Sequence, residues 1–454
     1  MDYGRLAPEA VVLAGALIAL LGGSFLPRLR QRLLTPVAVG TLLTAAVVTV
    51  AQAGPATTVF DGTWALGPTT TTIRLVAALG CAAVLLLGAA ERAGSPRESE
   101  TVALLMLSTL GAMVLGAADD LLVVVTGYLL ASVPLYGLIG VGRTPLAAEA
   151  AVKTYLQGAL FGVLLLGGTA VLAGVGGGTG YADLRAGLPN APPAAVAVGA
   201  VGVALALLFE SGAVPAHFWV PDAAQAASRQ AAAFLTTVPK VAALVALLRF
   251  LQVVQPEVDL SLVVAVAAAA SMVLGVLTAF WQEDVRRLLG YSTVGQAGFL
   301  LLGVAGSSPD ALLVYAAGYA AANLAVFAVV AALPERPTVQ RWRGAGRAHP
   351  FLTAALLVSL LALVGTPPTS VFLGKVAVFQ AAWSAGQGWL VVVAAVATVA
   401  SLFYSLRWIA TALRSAPTRD GADRAEPVSA AVALVLTVVV LGFAALVPLL
   451  TTVR

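Results

Sequence analysis

The sequence predicts an all-α, polytopic membrane protein with about 14 transmembrane helices. Of the 454 residues, 60 % are hydrophobic and only 10 % are charged, whereas soluble domains contain about 25 % charged residues. Apolar runs of about 20 residues, long enough to cross a lipid bilayer, recur along the chain. They lack the alternation of period two that barrel strands require, so we expect helices. The net charge of +4 is too small for nucleic-acid binding.

Charged or Gly/Pro-rich breaks separate the apolar runs and define the predicted spans. The first run follows MDYGRLAPEA, which lacks a basic region, so we expect a retained first span and not a signal peptide. In chain order, the predicted spans cover residues 8–26, 34–53, 72–90, 100–118, 120–142, 148–174, 194–222, 231–252, 260–281, 285–305, 309–334, 350–384, 388–413 and 427–450.

The distribution of arginine supports this number of spans and predicts their orientation. Loops that follow odd-numbered spans contain Arg28, Arg30, Arg32, Arg92, Arg97, Arg143, Arg229, Arg286, Arg287, Arg336, Arg341, Arg343, Arg347, Arg414, Arg419 and Arg424. The remaining loops and the two tails have at or near their edges only Arg5, Arg74, Arg185, Arg249 and Arg454. By the positive-inside rule, the arginine-rich loops are cytoplasmic and both termini face outward.

The seventh and twelfth spans are interrupted by glycine and proline. The seventh contains LLFESGAVPAHFWVP, with Gly212, Pro215 and Pro221, and the twelfth contains LVGTPPTSVFLGK. Proline breaks or kinks a helix, either for packing alone or to build a site near mid-membrane. Because the two lie five spans apart, we expect two inverted five-helix repeats, each with a broken helix. The chain then divides into N-terminal helices 1–3 (1–99), a first repeat of helices 4–8 (100–252), a second repeat of helices 9–13 (260–413) and helix 14 (427–454).

Charged residues within the predicted spans are candidates for function, because each costs about 2.5–3.5 kcal/mol at the bilayer centre. The spans contain Glu210 and all three lysines of the chain, Lys153, Lys240 and Lys375, whereas the loops use arginine. Arginine does not release its proton, and a buried lysine does so readily. The pattern therefore predicts groups that load and unload a proton. The alternative is a lysine that extends to the interface or forms an ion pair that stabilises the bundle.

Other polar groups extend this set. Glu149 precedes Lys153 by four residues, which favours an ion pair on one helix face. His217 lies in the seventh-span break. It is either a proton relay, since histidine titrates near neutral pH, or a residue that forms a structural hydrogen bond at an irregular turn. The tenth span carries four polar residues that predict either a water chain or hydrogen bonds between helices, namely Tyr291, Ser292, Thr293 and Gln296.

Cysteine and histidine are too scarce for a redox centre in this chain. One cysteine, Cys81, excludes an internal disulfide and a cysteine-ligated metal or iron–sulfur site. The two histidines, His217 and His349, are too few for haem pairs or a histidine-rich metal site. We therefore expect no cofactor in this chain.

Four segments resemble the antiporter-like subunits of the respiratory NADH–quinone oxidoreductase. They are EAAVKTYLQGAL, VPAHFWVPDAAQAA with the following FLTTVPKVAALVALLRF, DVRRLLGYSTVGQAGFLLLG and GTPPTSVFLGKVAVF. The resemblance covers essentially the whole chain, and the VPxHxWxPD and RRLLGYS motifs are specific to a superfamily that also includes subunits of cation/proton antiporters and of membrane hydrogenases.

The resemblance implies a proton-translocating subunit in the cell (inner or plasma) membrane, driven by quinone reduction elsewhere in the complex. Its partners would be the other membrane subunits, and NADH, FMN, iron–sulfur clusters and quinone would bind to partner subunits. By position, Lys240 and Lys375 match the family's eighth- and twelfth-span lysines. The Glu149–Lys153 pair matches an EAxxK pattern, and two residues match the loop after the broken helix, His217 and Asp222.

Two positions depart from the family pattern. Leu129 replaces the fifth-span glutamate, and Glu210 replaces the seventh-span lysine. Because a buried Glu210 needs a cation, we expect it to pair with Lys240. Two alternatives to a proton-pumping subunit of the oxidoreductase follow: a proton/cation antiporter subunit, and a degenerate paralogue with a structural role.

Overall fold

The computed structural model describes residues 2–415 and 424–451, so Arg419, Arg454 and the end of the segment 427–454 lie outside the described residues. Most of this part is helical. In chain order the α-helices are α1 (Ala7–Phe25), α2 (Leu34–Ala51), α3 (Pro68–Leu87), α4 (Ala89–Arg92), α5 (Glu98–Ala117), α6 (Leu121–Gly140), α7 (Pro145–Gly176), α8 (Tyr181–Gly187), α9 (Pro193–Ser211), α10 (Trp219–Ala226), α11 (Arg229–Leu235), α12 (Val238–Val254), α13 (Ser261–Ala279), α14 (Val285–Ala305), α15 (Pro309–Ala332), α16 (Ala345–Ala348), α17 (Pro350–Val364), α18 (Ser370–Ser384), α19 (Gly388–Leu413) and α20 (Pro427–Thr451). Short 3₁₀ helices cover Tyr3–Leu6, Arg28–Leu33, Leu188–Asn190 and Val339–Trp342.

Most helices coincide with the predicted spans, and the seventh, eighth and twelfth spans are each divided between two helices. Within the described residues, 12 helical segments are long and apolar enough to cross a membrane, and two shorter apolar helices cover Pro350–Val364 and Pro427–Gly442. The prediction of a polytopic, helical membrane protein is confirmed. The number of 14 crossings and the division into repeats stay predictions.

A small β-hairpin is an exception to the all-α prediction. Strands β1 (Thr57–Val59) and β2 (Trp64–Leu66) pair antiparallel between α2 and α3. The connecting residues Phe60, Asp61 and Gly62 have φ angles of 55°, 56° and 85°. The dipeptide Asp61–Gly62 is a common hairpin turn and was the signal in the sequence.

The predicted break in the seventh span separates α9 from α10. Helix α9 ends at Ser211, and Gly212 follows in the left-handed conformation with φ of 72°. The peptide bond between Val214 and Pro215 is cis. Pro221 was predicted to belong to the break, but it lies in the first turn of α10, where proline is tolerated.

The predicted break in the twelfth span separates α17 from α18 and has the same construction. Helix α17 ends at Val364, and Gly365 follows with φ of 91°. The peptide bond between Pro367 and Pro368 is cis, and α18 begins at Ser370. In both spans, therefore, one left-handed glycine ends the first half-helix.

The eighth predicted span is not one continuous helix. It is interrupted between α11 and α12 at Thr236 and Thr237, whose hydroxyls donate to main-chain carbonyls of the preceding turn. Such bonds and the following Pro239 disfavour a regular helix. Lys240 was predicted near the middle of a helix, but it is the third residue of α12, beside this interruption.

Helices α11 and α12 form the centre of the molecule. Residues 230–248 of this pair are all buried, and most residues of α14 and α15 beside them are buried as well. Helices α1, α2, α7 and α19 lie outside and expose large apolar side chains. This arrangement places Lys240 of α12 in the protein interior.

Candidate functional site

Lys240 lies at the first helix break. Its Nζ donates a hydrogen bond of 2.8 Å to the main-chain oxygen of Glu210, at the end of α9, and lies 3.9 Å from the centre of the Trp219 ring. The last carbonyls of a helix lack intrahelical partners and carry partial negative charge, which favours a cation here. Gly212 leaves room for the lysine, because a Cβ there would lie 3.3 Å from Lys240 Cε.

The carboxyl group of Glu210 binds to a different helix. Oε2 accepts a hydrogen bond of 2.6 Å from Ser132 Oγ on α6, and the whole residue is buried. The expected ion pair with Lys240 is not among the ion pairs within 4.0 Å in the described part of the chain. That expectation was wrong in its geometry, because the ammonium binds the main-chain oxygen. The two groups still interact electrostatically.

Lys375 occupies the equivalent place at the second break. Its Nζ donates 2.8 Å to the main-chain oxygen of Val364, at the end of α17, and 3.3 Å to Thr398 Oγ1 on α19. The ammonium lies 3.6 Å from the centre of the Phe299 ring. Each break thus holds one buried lysine between a helix end and an aromatic face, where nearby charges act strongly on its protonation.

Polar side chains of α15 and α14 connect to the interruption beside Lys240. The Tyr319 hydroxyl donates 2.5 Å to the main-chain oxygen of Thr236 and 3.4 Å to Thr293 Oγ1. The Asn323 side chain donates to the hydroxyls of Thr236 and Thr237 at 2.9 and 2.8 Å. These bonds start a polar path that leads away from α12.

A second group of polar bonds lies about one turn further along α14 and α15, at the second break. The Tyr315 hydroxyl donates to Gln296 Oε1, and Gln296 Nε2 donates 2.7 Å to the main-chain oxygen of Leu363. Leu363 precedes Val364, which accepts from Lys375. We call the seven side chains of these two groups the central polar network: Thr236, Thr237, Thr293, Gln296, Tyr315, Tyr319 and Asn323.

Sequence reasoning found only part of this network. The sequence pointed to Thr293 and Gln296 and predicted either a water chain or hydrogen bonds between helices. Hydrogen bonds between helices are present at both residues. The three polar residues of α15 were missed, although their spacing of four residues in an apolar span places them on one helix face: Tyr315, Tyr319 and Asn323.

Glu149 and Lys153 lie apart from these groups, at the protein surface. Their predicted ion pair is confirmed at 2.6 Å, with 59 % and 48 % of the side chains exposed. Lys153 also approaches Asp222 on α10 at 3.3 Å, and Asp222 forms a 2.7 Å ion pair with Arg287 on α14. These four charges tie α7, α10 and α14 together.

His217 lies in the first break, buried, with its ring centre 4.3 Å from that of Phe218. Among the residues that the structure describes, it has no hydrogen bond to Glu210 or Lys240. No group of three or more His, Cys, Asp or Glu side chains in residues 2–415 and 424–451 is placed to bind a metal ion.

Replacing Gly365 with alanine is expected to destabilise the second break. The left-handed conformation costs a non-glycine residue about 1–2 kcal/mol, and the new Cβ would lie 2.7 Å from Lys375 Cδ. The control is Gly386→Ala, which has a similar φ of 78° but no atom within 4 Å of the new Cβ. Thermal unfolding of the purified protein should show the larger loss for Gly365→Ala. Equal losses would contradict the close contact with Lys375.

Comparison with known proteins identifies the family. The family model for the transmembrane region of NADH:quinone oxidoreductase and the Mrp antiporter matches residues 118–401. The NADH-quinone oxidoreductase subunit N of Mycobacterium sp. (strain JLS) is 49 % identical, over 92 % of this chain and 91 % of that protein. Subunit N 1 of the same complex from Streptomyces griseus is 45 % identical, over 94 % of this chain and 92 % of that protein.

A solved structure agrees with this comparison. A chain of respiratory complex I from Thermus thermophilus with bound aureothin superimposes with a TM-score of 0.85 and 28 % sequence identity, covering 97 % of this chain and 98 % of that one. The chain therefore belongs to the NADH-quinone oxidoreductase subunit N family, within the NADH:quinone oxidoreductase and Mrp antiporter superfamily of membrane proteins.

Proposed function

We propose that this chain is a proton-translocating membrane subunit of an NADH–quinone oxidoreductase. The observation that carries the proposal is the pair of buried lysines, Lys240 and Lys375, each at the end of a half-helix, with the central polar network between the two breaks. The relatives are named as subunits of that complex, so the chain acts as part of an enzyme and performs no redox chemistry itself. Partner subunits would hold NADH, FMN, iron–sulfur clusters and quinone.

In this proposal, quinone reduction in partner subunits changes the charge near the two lysines. Lys240 and Lys375 then take up and release protons, because a charge acts over a longer distance in a low-dielectric interior than in water. The hydroxyl and amide groups between them pass the change from one half to the other. Glu210, whose carboxyl group binds Ser132 on α6, influences proton binding by Lys240.

Two of the remaining candidates, Glu149 and Lys153, are proposed to act at the cytoplasmic surface. Glu149 and Lys153 are half-exposed and reach Asp222 and Arg287, and Arg287 is among the arginines that mark the cytoplasmic side. They would collect protons from water there. His217 would assist proton transfer at the first break, between α9 and α10.

The domain division and the orientation belong to the same proposal. We propose segments 1–99, 100–252, 260–413 and 427–454, with both termini outside the cell membrane. Two features support the inverted repeats: the matching breaks, and the extensive packing of α5 on α6 and of α13 on α14, which are the first two spans of each proposed repeat. The arginine pattern supports the orientation.

Replacing Tyr319 with phenylalanine tests this function. The change removes the hydroxyl that joins Thr236 to Thr293 and keeps the ring, so proton pumping by the intact complex in vesicles should fall by about tenfold. NADH oxidation in vesicles made leaky to protons should be retained. The control is Tyr181→Phe, a buried tyrosine outside the network whose hydroxyl has no hydrogen-bond partner within the described residues.

Two outcomes would contradict the proposal. Equal pumping by both variants and by the parent complex would exclude the network as a proton-coupling path. Exchange of sodium for protons without NADH would indicate the antiporter alternative.

A further inference from the structure

A row of hydroxyl groups leads from Glu210 along α6. Tyr128, Ser132 and Tyr136 are spaced by four residues and therefore lie on one face of the helix. Tyr128 and Ser132 are buried, and Tyr136 is partly exposed. The row faces α7 and α9, away from the central polar network.

The polar groups of this row lie close together. Ser132 Oγ donates to Glu210 Oε2 at 2.6 Å, and Tyr136 lies one helical turn further along the same face of α6. The Tyr128 hydroxyl reaches the main-chain oxygen of Gly158 on α7 at 3.4 Å. Gly158 also admits the Tyr136 hydroxyl, because a Cβ at this glycine would lie 1.9 Å from it.

Each end of the row has a group suited to proton exchange. Glu210 Oε2 accepts from Ser132, and Oε1 is buried without a hydrogen-bond partner in the part of the chain that the structure describes, so it is available to carry a proton. At the other end, Tyr136 lies four residues before the end of α6 at Gly140. This distance is about 6 Å along the helix, and the arginine pattern places that end at the cytoplasmic surface.

We propose that Tyr136 and Ser132 form a hydroxyl relay that delivers protons from water at the cytoplasmic end of α6 to Glu210. The inference rests on the proposed function, and it assigns the uptake path of the first half of the protein. A proton from water binds the Tyr136 oxygen while the original Tyr136 proton passes to Ser132 Oγ. The original Ser132 proton passes to the Glu210 carboxylate. Both hydroxyls end neutral and rotated, and Glu210 has gained one proton.

The relay explains why Glu210 is held from two sides. Its carboxyl group is bound to α6 through Ser132, and its main-chain oxygen is bound by Lys240 on α12. A proton that neutralises the carboxylate removes its attraction for the nearby ammonium and so favours proton release from Lys240. Glu210 thereby couples uptake along α6 to the lysine.

A pair of nearly isosteric substitutions tests the relay. Ser132→Thr keeps the hydroxyl, and Ser132→Val replaces it with a methyl group of similar size. In the intact complex reconstituted in vesicles, NADH-driven pumping should be retained in Ser132→Thr and should fall about tenfold in Ser132→Val and in Tyr136→Phe. The control is Tyr155→Phe on α7, whose ring contacts the Tyr136 ring edge-on.

A spectroscopic readout separates the relay from a purely structural role. The carboxyl C=O stretching band that disappears in Glu210→Gln should shift in Ser132→Val and stay in place in Ser132→Thr and Tyr155→Phe. Equal pumping by Ser132→Thr and Ser132→Val, whether high or low, would overturn the relay, and so would unchanged pumping by Tyr136→Phe. If one of these results occurred and Lys375→Met still lost pumping, the relay would be rejected and the proposed function would stand.

Discussion

Replacing Lys375 with methionine is expected to abolish proton pumping by the intact complex while the complex still assembles. Methionine fills a volume similar to that of lysine and is tolerated in apolar interiors. Among the described residues, Lys375 forms no ion pair within 4.0 Å, so its removal breaks no buried pair of charges. The loss leaves the main-chain oxygen of Val364 without a donor, at a cost of about 1–3 kcal/mol.

The measurement compares NADH-driven acidification of vesicles with the rate of NADH oxidation. Lys375→Arg should also fail to pump, because arginine keeps the charge but does not release its proton. Gln380→Met on the same helix is the control, since Gln380 is exposed and outside the site. Pumping at the parent rate in Lys375→Met would contradict the assignment of Lys375 to proton transfer.

Replacing Lys240 with methionine is expected to abolish pumping and, in contrast, to weaken assembly. The substitution removes the cation that lies near the buried Glu210 carboxyl and binds the main-chain oxygen of the same residue. Removing one partner of a buried charged pair costs about 3–5 kcal/mol. Because Lys240 and Glu210 interact without a direct ion pair, we expect the lower end of this range.

The double substitution Lys240→Met with Glu210→Gln separates the two effects. Neutralising the carboxylate should restore the amount of assembled complex, as measured by native electrophoresis of solubilised membranes, and pumping should stay absent. Restored pumping in the double variant would show that Lys240 only compensates Glu210. Equal assembly of the two single variants at Lys240 and Lys375 would contradict the electrostatic difference between the two breaks.

The sequence predicted the helices well because their signal is local. The tenth and thirteenth predicted spans coincide end to end with α14 and α19, since charged or glycine-rich segments limit apolar runs sharply. The hairpin of β1 and β2 was missed because strands of three residues carry little periodicity. Thr236, Thr237 and Pro239 indicate an interruption of the helix. They were overlooked because the surrounding run is apolar and predicts one span.

The candidate site was harder to predict than the fold. Lys240, Lys375 and Glu210 were identified because charge is rare in the predicted spans. Their hydrogen-bond partners were not identified. The main-chain oxygens that bind the two lysines lack intrahelical donors only because Gly212 and Gly365 end their half-helices. A pairing of Glu210 with Lys240 by charge alone therefore gave the correct neighbours and the wrong atoms.

The surroundings of Lys375 have a consequence for ion selectivity. A metal cation that entered the second break would meet an ammonium group, the ring of Phe299 and two uncharged oxygens, the main-chain oxygen of Val364 and Thr398 Oγ1. Hard cations require several oxygen ligands, preferably anionic ones. A site whose own cation repels other cations admits a positive charge only as a proton on the lysine nitrogen, so the second half of the molecule is expected to discriminate against sodium by electrostatic exclusion.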